Sequence, residues 1–253
     1  MENTSLSERF LAAYNELDEH MRRTMGQDNN MSHSYMVRDM AHKSKFFAHF
    51  KEDLLWYADL RNVLVHNPYI KNADPIAEPH IKIVEKYEMI KDSVIHPPRA
   101  LTVAVPVQDI YKTNFSADAI EVMNIMTEKG FSHVPVIEDE KLVGVFSENS
   151  ILNYLVSNNG GISNNATIKD FTEFIPLGGH NSELFDFVER DMLLDDVQQM
   201  FEDSVKNHHR LGVVFVTENG KEDEKLLGLI TAWDAIKHIT NQQELKLEED
   251  GKV

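Results

Sequence analysis

A phrase repeated 84 residues apart constrains this chain more than any other feature. Residues 141–147 read Lys-Leu-Val-Gly-Val-Phe-Ser, followed by Glu148, Asn149, Ser150 and the apolar pair Ile151-Leu152. Residues 225–231 read Lys-Leu-Leu-Gly-Leu-Ile-Thr, followed by Ala232, Trp233, Asp234 and Ala235-Ile236. Each copy predicts a short apolar strand closing on a hydroxyl residue, then a helix start with a polar group three positions on. Flanking anchors repeat as well. Asp118-Ala119-Ile120 aligns with Asp195-Asp196-Val197, and Val134-Pro135-Val136-Ile137 with Leu211-Gly212-Val213-Val214, both at an offset of 77. The second copy therefore carries seven extra residues, which belong in its hairpin turn, where Thr217-Glu218-Asn219-Gly220 supplies turn residues. The chain holds an internal duplication that presents a hydroxyl group, and in the second copy an acid, at a strand-to-helix turn.

At 253 residues there is room for two or three units, each able to bury a core. No run approaches the roughly 18–20 apolar residues of a membrane helix. Met1-Glu2-Asn3-Thr4 shows no basic-then-apolar leader. The absence of Cys excludes disulfides and thiolate metal sites, and points to the cytoplasm. Charge is uneven. Residues 1–100 hold 13 Lys+Arg against 15 Asp+Glu, a balance of −2, whereas residues 101–253 hold 12 against 27, a balance of −15. The two parts read as different domains, and the acidic one would repel a nucleic-acid backbone. Solubility alone also accounts for the acidity.

The first 97 residues read as helical. Ser7 is the expected cap of a helix carrying Phe10, Leu11, Tyr14 and Leu17 at spacings of three and four. A second segment spans 35–50, a third carries Leu54, Leu55, Ala58, Leu60 and Val65 and stops near Asn67-Pro68, and a fourth holds Ile81, Val84, Tyr87 and Ile90. Pro97-Pro98 marks the domain boundary. Beyond it β-branched runs alternate with helices: a strand at 103–107, a helix opened by Ser116-Ala117-Asp118, a hairpin at 133–146, a helix after Ser147 and a linker at 158–161.

The doubled helix–strand–strand–helix unit, ending in Gly, two apolar residues, Ser or Thr and an acid three on, resembles the CBS-domain pair (cystathionine-β-synthase-type modules). The segments around Phe174-Ile175-Pro176-Leu177-Gly178 and Phe215-Val216-Thr217 are similar to that family too. Taken with the helical patterning of residues 1–97, which reads as a four-helix bundle, the resemblance implies an α+β chain: that bundle, then a tandem CBS-domain pair of two β-α-β-β-α modules at 98–158 and 166–241, then a polar tail at 242–253. It also implies an adenine nucleotide (AMP, ADP, ATP or a related ligand) as regulatory ligand, bound between the modules. Asp234 would accept hydrogen bonds from the ribose hydroxyls, as an ionised carboxylate with several lone pairs does well. Thr231 would touch the ribose-phosphate end. Backbone near Leu211, Gly212 and Val213 would meet the base, while His208, His209 and Arg210 would reach phosphates. Ser147 matches Thr231, but Ser150 stands where the acid should be, so one site built on Thr231 and Asp234 is expected. The bland alternative is that hydroxyl and acid merely form a helix-capping box.

Arg61-Asn62-Val63-Leu64-Val65-His66 closes the third helical segment. An Arg and a His so spaced in a helical unit of this size resemble the HEPN superfamily, many members of which are dimeric, metal-independent ribonucleases. The resemblance implies His66 as general base or acid on a ribose hydroxyl, Arg61 as stabiliser of phosphorane charge, Asn62 as an orienter of a phosphate oxygen, RNA as a partner, and a homodimer. Residues five apart lie roughly 140° apart around a helix, so a shared site needs the helix to end near His66 or a second chain to supply one group. The motif is short, and a His in a last helical turn is favoured by the macrodipole alone.

Other signals point nowhere chemical. His33, His42 and His49 lack a carboxylate that completes a metal set, so no metal is expected. Met21, Met25, Met31, Met36 and Met40 read as adaptable core filler. Gly178-Gly179-His180 lacks phosphate-loop spacing. Two functions remain: a nucleotide-sensing regulatory protein, and a nucleotide-regulated endoribonuclease gated by population shift. No membrane partner is expected under either.

Overall fold

The computed structural model describes residues 5–26, 31–65, 77–178 and 183–236. The chain divides into two compact units, 1–97 and 98–253.

Among its described residues the first unit has four helices: α1 (Leu6–Thr24), α2 (His33–Ala41), α3 (Lys45–Val65) and α4 (Ile81–Ile95). The stripe Phe10, Tyr14, Leu17 and Met21 is buried on α1, and Val84, Tyr87, Ile90 and Val94 on α4, the three- and four-residue spacing of an apolar helix face. Phe50, Leu54 and Tyr57 of α3 and Met36 and Val37 of α2 complete one core, with Met25, Met31 and Met40 packed at its margin. Arg9 makes a bidentate bond to Glu88 at 3.1 and 2.7 Å, and Lys86 meets Asp53 at 3.0 Å. These half-exposed pairs set register more than stability.

Two local expectations change. Ser5, not Ser7, caps α1: its hydroxyl accepts from Glu8 N–H at 3.2 Å while the Glu8 carboxylate accepts from Ser5 N–H at 2.9 Å. Ser7 is buried instead and donates to the Ala77 carbonyl at 2.8 Å. The segment expected at 35–50 is broken by a turn at 42–44, and its second half joins the third segment as α3. Ser44 explains the restart, since its hydroxyl accepts from Phe47 N–H at 3.4 Å and its carbonyl from Ala48 N–H at 3.0 Å.

The second unit runs α5 (Ala100–Val103), β1 (Val105–Pro106), α6 (Ala119–Lys129), β2 (His133–Glu138), β3 (Lys141–Ser147), α7 (Glu148–Ser157), a 3-10 helix (Ile168–Phe174), β4 (Leu184–Glu189), α8 (Leu194–Lys206), β5 (Leu211–Thr217) and β6 (Gly228–Ile230). Of the strand expected at 103–107, Val105 and Pro106 alone pair. The β2–β3 turn holds two residues, Asp139 and Glu140, both at positive φ, as a tight twisted hairpin requires. The β5–β6 connection is longer, and Asn219 ties it off by donating to Glu224 from backbone and side chain, each at 2.7 Å.

The two copies are interlaced. One sheet has the order β1-β6-β5-β4, so the strand that opens the first copy pairs with the last strand of the second. The counterpart holds in the other sheet, where Val145 N–H of β3 donates to the Ile175 carbonyl at 2.8 Å, and Thr113 bridges β2 at Val136. Core packing follows the same crossing. Ala100 and Ala104 lie among Val188, Val197, Val214 and Ile230, whereas Ala166, Ile168 and Phe171 lie among Val122, Val134 and Phe146. A third cluster, including Val145, Val213, Phe215 and Leu229, joins the two sheets. The glycine in each repeated phrase permits the crossing. A Cβ at Gly228 would lie 2.7 Å from the Val105 carbonyl oxygen, and one at Gly144 would overlap the Ile175 carbonyl. Gly stands in the repeat because backbone from another segment, β1 at Gly228 and Ile175 at Gly144, occupies the side-chain position.

Candidate functional site

The crossing of β1 onto β6 builds a cleft of about 570 Å³, within the size range of small-molecule sites. One wall is apolar: Val105 from β1, Ile110, Val213 from β5 and Leu229 from β6. A second wall is the segment where α6 ends at Gly130, which takes the left-handed conformation (φ 71°) and turns the chain through Phe131 and Ser132 into His133. Lys129, His133 and Arg210 bring cationic or protonatable groups to a unit that is otherwise strongly acidic. The turn after β6 also lines the cleft, with Thr231, Trp233 and Asp234, the Trp 79% exposed.

Thr231 and Asp234 form a capping box. The Asp234 Oδ2 accepts from Thr231 N–H at 2.9 Å and from its hydroxyl at 2.6 Å. The capping alternative is therefore real as geometry. A like box, Thr167 with Asp170, caps the 3-10 helix at an exposed position away from the cleft, so hydroxyl-x-x-acid does not by itself mark a site. What differs at Thr231 is the cleft: the same half-buried carboxylate that caps the turn also lines the cavity, and capping engages Oδ2 alone. An acceptor, apolar side chains and cationic groups lining one cavity suit a ligand with vicinal hydroxyls, a flat apolar part and an anionic group.

Of the residues expected from the sequence, Thr231, Asp234, Arg210, Leu211 and Val213 line this cleft together. His209 is exposed and Ser147 lies elsewhere. Ser147 is buried. Its hydroxyl caps α7 by accepting from Ser150 N–H at 3.2 Å and donates to Glu183 Oε2 at 2.9 Å. Ser150 takes over the capping work of the missing acid, accepting from Ser147 N–H at 2.8 Å. Glu183 is 4% exposed and also meets His133 Nε2 at 2.6 Å. Burial opposes its ionisation, but the His133 hydrogen bond and charge, with further hydrogen bonds from Ser147 and Asn149, prevail and hold its carboxyl below the usual range. Sequence reasoning missed Tyr111, Lys129, His133 and Glu183. His133 was findable, because it aligns with Arg210 at the same offset of 77 as its strand.

In the helical unit, the Arg61 guanidinium lies over the Tyr14 ring, 5.8 Å from its centroid, and its Nη1 reaches Asn62 Oδ1 at 3.5 Å. His66 lies outside the described residues, so no geometry joins it to Arg61. His33 is buried, stacked on Tyr14, with Nδ1 2.9 Å from Asp18. That pairing and the bond from Arg22 outweigh burial and hold the Asp18 carboxyl low. Among the described residues no group of three His, Cys, Asp or Glu side chains is placed to hold a metal ion, and no helix is long and apolar enough to cross a membrane.

The CBS-domain family model matches residues 103–157 and 183–241, the two copies of the duplication. The second unit carries a CBS-domain pair. No curated protein matches the chain. Solved structures similar to it include CbpB in complex with c-di-AMP, 19% identical, covering 67% of this chain and 99% of that one, with a TM-score of 0.45. CBSX2 in complex with AMP is 17% identical, covering 57% and 98%, with a TM-score of 0.42. CBSX2 from Arabidopsis thaliana is 17% identical over 58% and 96%, with a TM-score of 0.40. The family match falls on both β-hairpins of the CBS pair and on the Thr231 and Asp234 turn.

Proposed function

We propose that the chain is a ligand-sensing regulatory protein whose CBS pair binds an adenine nucleotide in the cleft at Thr231 and Asp234. The observation that carries the reading is the composition of that cleft. Its lining combines the Asp234 carboxylate, the apolar Val105, Ile110, Val213 and Leu229, and the groups of Lys129, His133 and Arg210 around a volume of about 570 Å³. Ribose hydroxyls would donate to Asp234, the base would lie against Val105, Ile110 and Val213, and phosphate would meet Arg210. Binding there would clamp β1, from the head of the first copy, against β6 of the second, and so bias the arrangement of the pair. The helical unit, a HEPN-like bundle on this reading, serves as the dimerising or partner-binding element of a homodimer.

Thermal melts of the purified chain with AMP, ADP, ATP and c-di-AMP test the reading. A nucleotide at about a hundred times its Kd adds about 2.7 kcal/mol, which for a unit of this size raises Tm by roughly 5–10 °C. Asp234→Ala should abolish the rise. A wild-type melt unmoved by every nucleotide would overturn the assignment. RNA incubated with the protein is expected to stay intact. Cleavage by wild type but not by His66→Ala would give the helical unit ribonuclease chemistry instead.

A further inference from the structure

The two halves of the CBS pair correspond at matching anchor positions. Thr231 corresponds to Ser147, Arg210 to His133 and Val105 to Ile175. Thr113 bridges β2 at Val136 and Phe185 pairs with β5 at Val213, the residue aligned with Val136, so Thr113 corresponds to Phe185, and Tyr111 and Glu183 each stand two residues before these positions. Tyr111 lines the open cleft. Glu183, on the matching approach of the second copy, is buried instead and bonds to Ser147.

The place it fills is built for an oxyanion. The Ser147 hydroxyl donates to Oε2 at 2.9 Å, and His133 Nε2 meets Oε1 at 2.6 Å, with Nδ1 of the same ring held by the Ser132 hydroxyl at 2.8 Å. Arg210 Nε stands 4.0 Å from Oε1. The Ser147 and Glu183 side chains are both buried, and the His133 side chain is 10% exposed. Gly212 makes the room, because a Cβ there would lie 2.8 Å from His133 Nε2 and 3.0 Å from Glu183 Oε1. The Ser147 hydroxyl and the His133 ring converge on the two oxygens, with the Arg210 guanidinium as a further charge 4.0 Å away, and such surroundings suit a phosphate as well as a carboxylate.

We propose that the Ser147 pocket is an oxyanion site which the chain fills with its own Glu183 carboxylate, and which takes a phosphate group when that carboxylate is removed. Glu183 thereby closes this place to any other anion. The proposal stands on the Ser147 donors and does not depend on what the Thr231 cleft binds.

Removing the carboxylate and offering a substitute tests it. Inorganic phosphate, and acetate as the carboxylate analogue, are titrated into the full chain carrying Glu183→Ala. A saturable Tm rise of about 5 °C is expected for this variant, absent in wild type and in Glu183→Gln, whose amide still fills the pocket. Adding His133→Ala to Glu183→Ala should remove most of the rise. An equal response in wild type and Glu183→Ala, or none in either, overturns the proposal. Should Glu183→Ala fail to fold unaided, its refolding yield with and without phosphate reads the same property, and no gain with phosphate overturns it. AMP titrated into wild type reports on the Thr231 cleft alone, so the two readings fail separately.

Discussion

Replacing Gly228 with Ala should loosen the crossing on which the CBS pair depends. The new Cβ would stand 2.7 Å from the Val105 carbonyl oxygen and 2.9 Å from the Ala104 Cβ, where ordinary contact begins at 3.4 Å. The strand must therefore yield by about 0.7 Å, and the nearest atom is backbone, not the free end of a side chain. β1 has little to resist with: two residues pair, Val105 with Leu229 and Pro106 with Gly228, and Val107 N–H adds a bond to the Leu227 carbonyl at 2.9 Å. Overpacking of this kind costs about 1–3 kcal/mol, and weakening one or two hydrogen bonds adds about 1 kcal/mol more. Restricting the unfolded chain returns about 0.4–1 kcal/mol. A net loss of about 2 kcal/mol lowers Tm by roughly 4–8 °C for a unit of this size. Val105 and Leu229 line the cleft, so nucleotide binding should weaken in parallel. Gly178→Ala is the control, since nothing lies within 4 Å of its Cβ position. If the two variants melt within about 1 °C of each other, Gly228 is not there to admit β1, and the explanation of the repeat's glycine fails.

Three further outcomes are expected. Arg210→Ala should weaken AMP about tenfold while leaving adenosine, which has no phosphate, nearly unchanged; equal losses for both in calorimetry would remove Arg210 from the phosphate end. Glu183 has a folded-state pKa below its unfolded value near 4.3, so the stability it adds is present above about pH 4.3 and is lost as pH falls through the lower folded value. Glu183→Gln should thus cost about 1–3 kcal/mol at neutral pH and flatten the acid limb of the Tm–pH curve, and an unchanged acid limb would show that this carboxyl is not held low. Ser5→Ala removes the α1 capping box and should cost about 1 kcal/mol, seen as a lower urea midpoint with unchanged slope.

The apolar stripes of α1 and α4 were legible because helix periodicity is local, and so were the two hairpins, because β-branched runs broken by turn residues are local as well. The error at 35–50 has the same origin. Periodicity runs on across a turn of three residues, while the signal that breaks it is one Ser44 hydroxyl accepting a backbone bond. Half the cleft was legible too. Thr231, Asp234, Arg210, Leu211 and Val213 lie within one stretch of chain and came with the repeat, but Val105, Tyr111, Lys129 and His133 arrive from the other copy.

The amino-acid sequence by itself determined the duplication, the change from helices to mixed structure at Pro97-Pro98, and the loss of the acid at Ser150. Each is a property of neighbouring residues. Only the tertiary structure decided that the copies exchange their leading segments, that the repeat's glycines leave space for another segment's backbone, and that Glu183 is buried against Ser147. Those outcomes come from contacts between residues distant along the chain, such as Val105 with Leu229 and Ser147 with Glu183. Close packing and the need to satisfy a buried carboxylate select such contacts among many that local propensity permits equally.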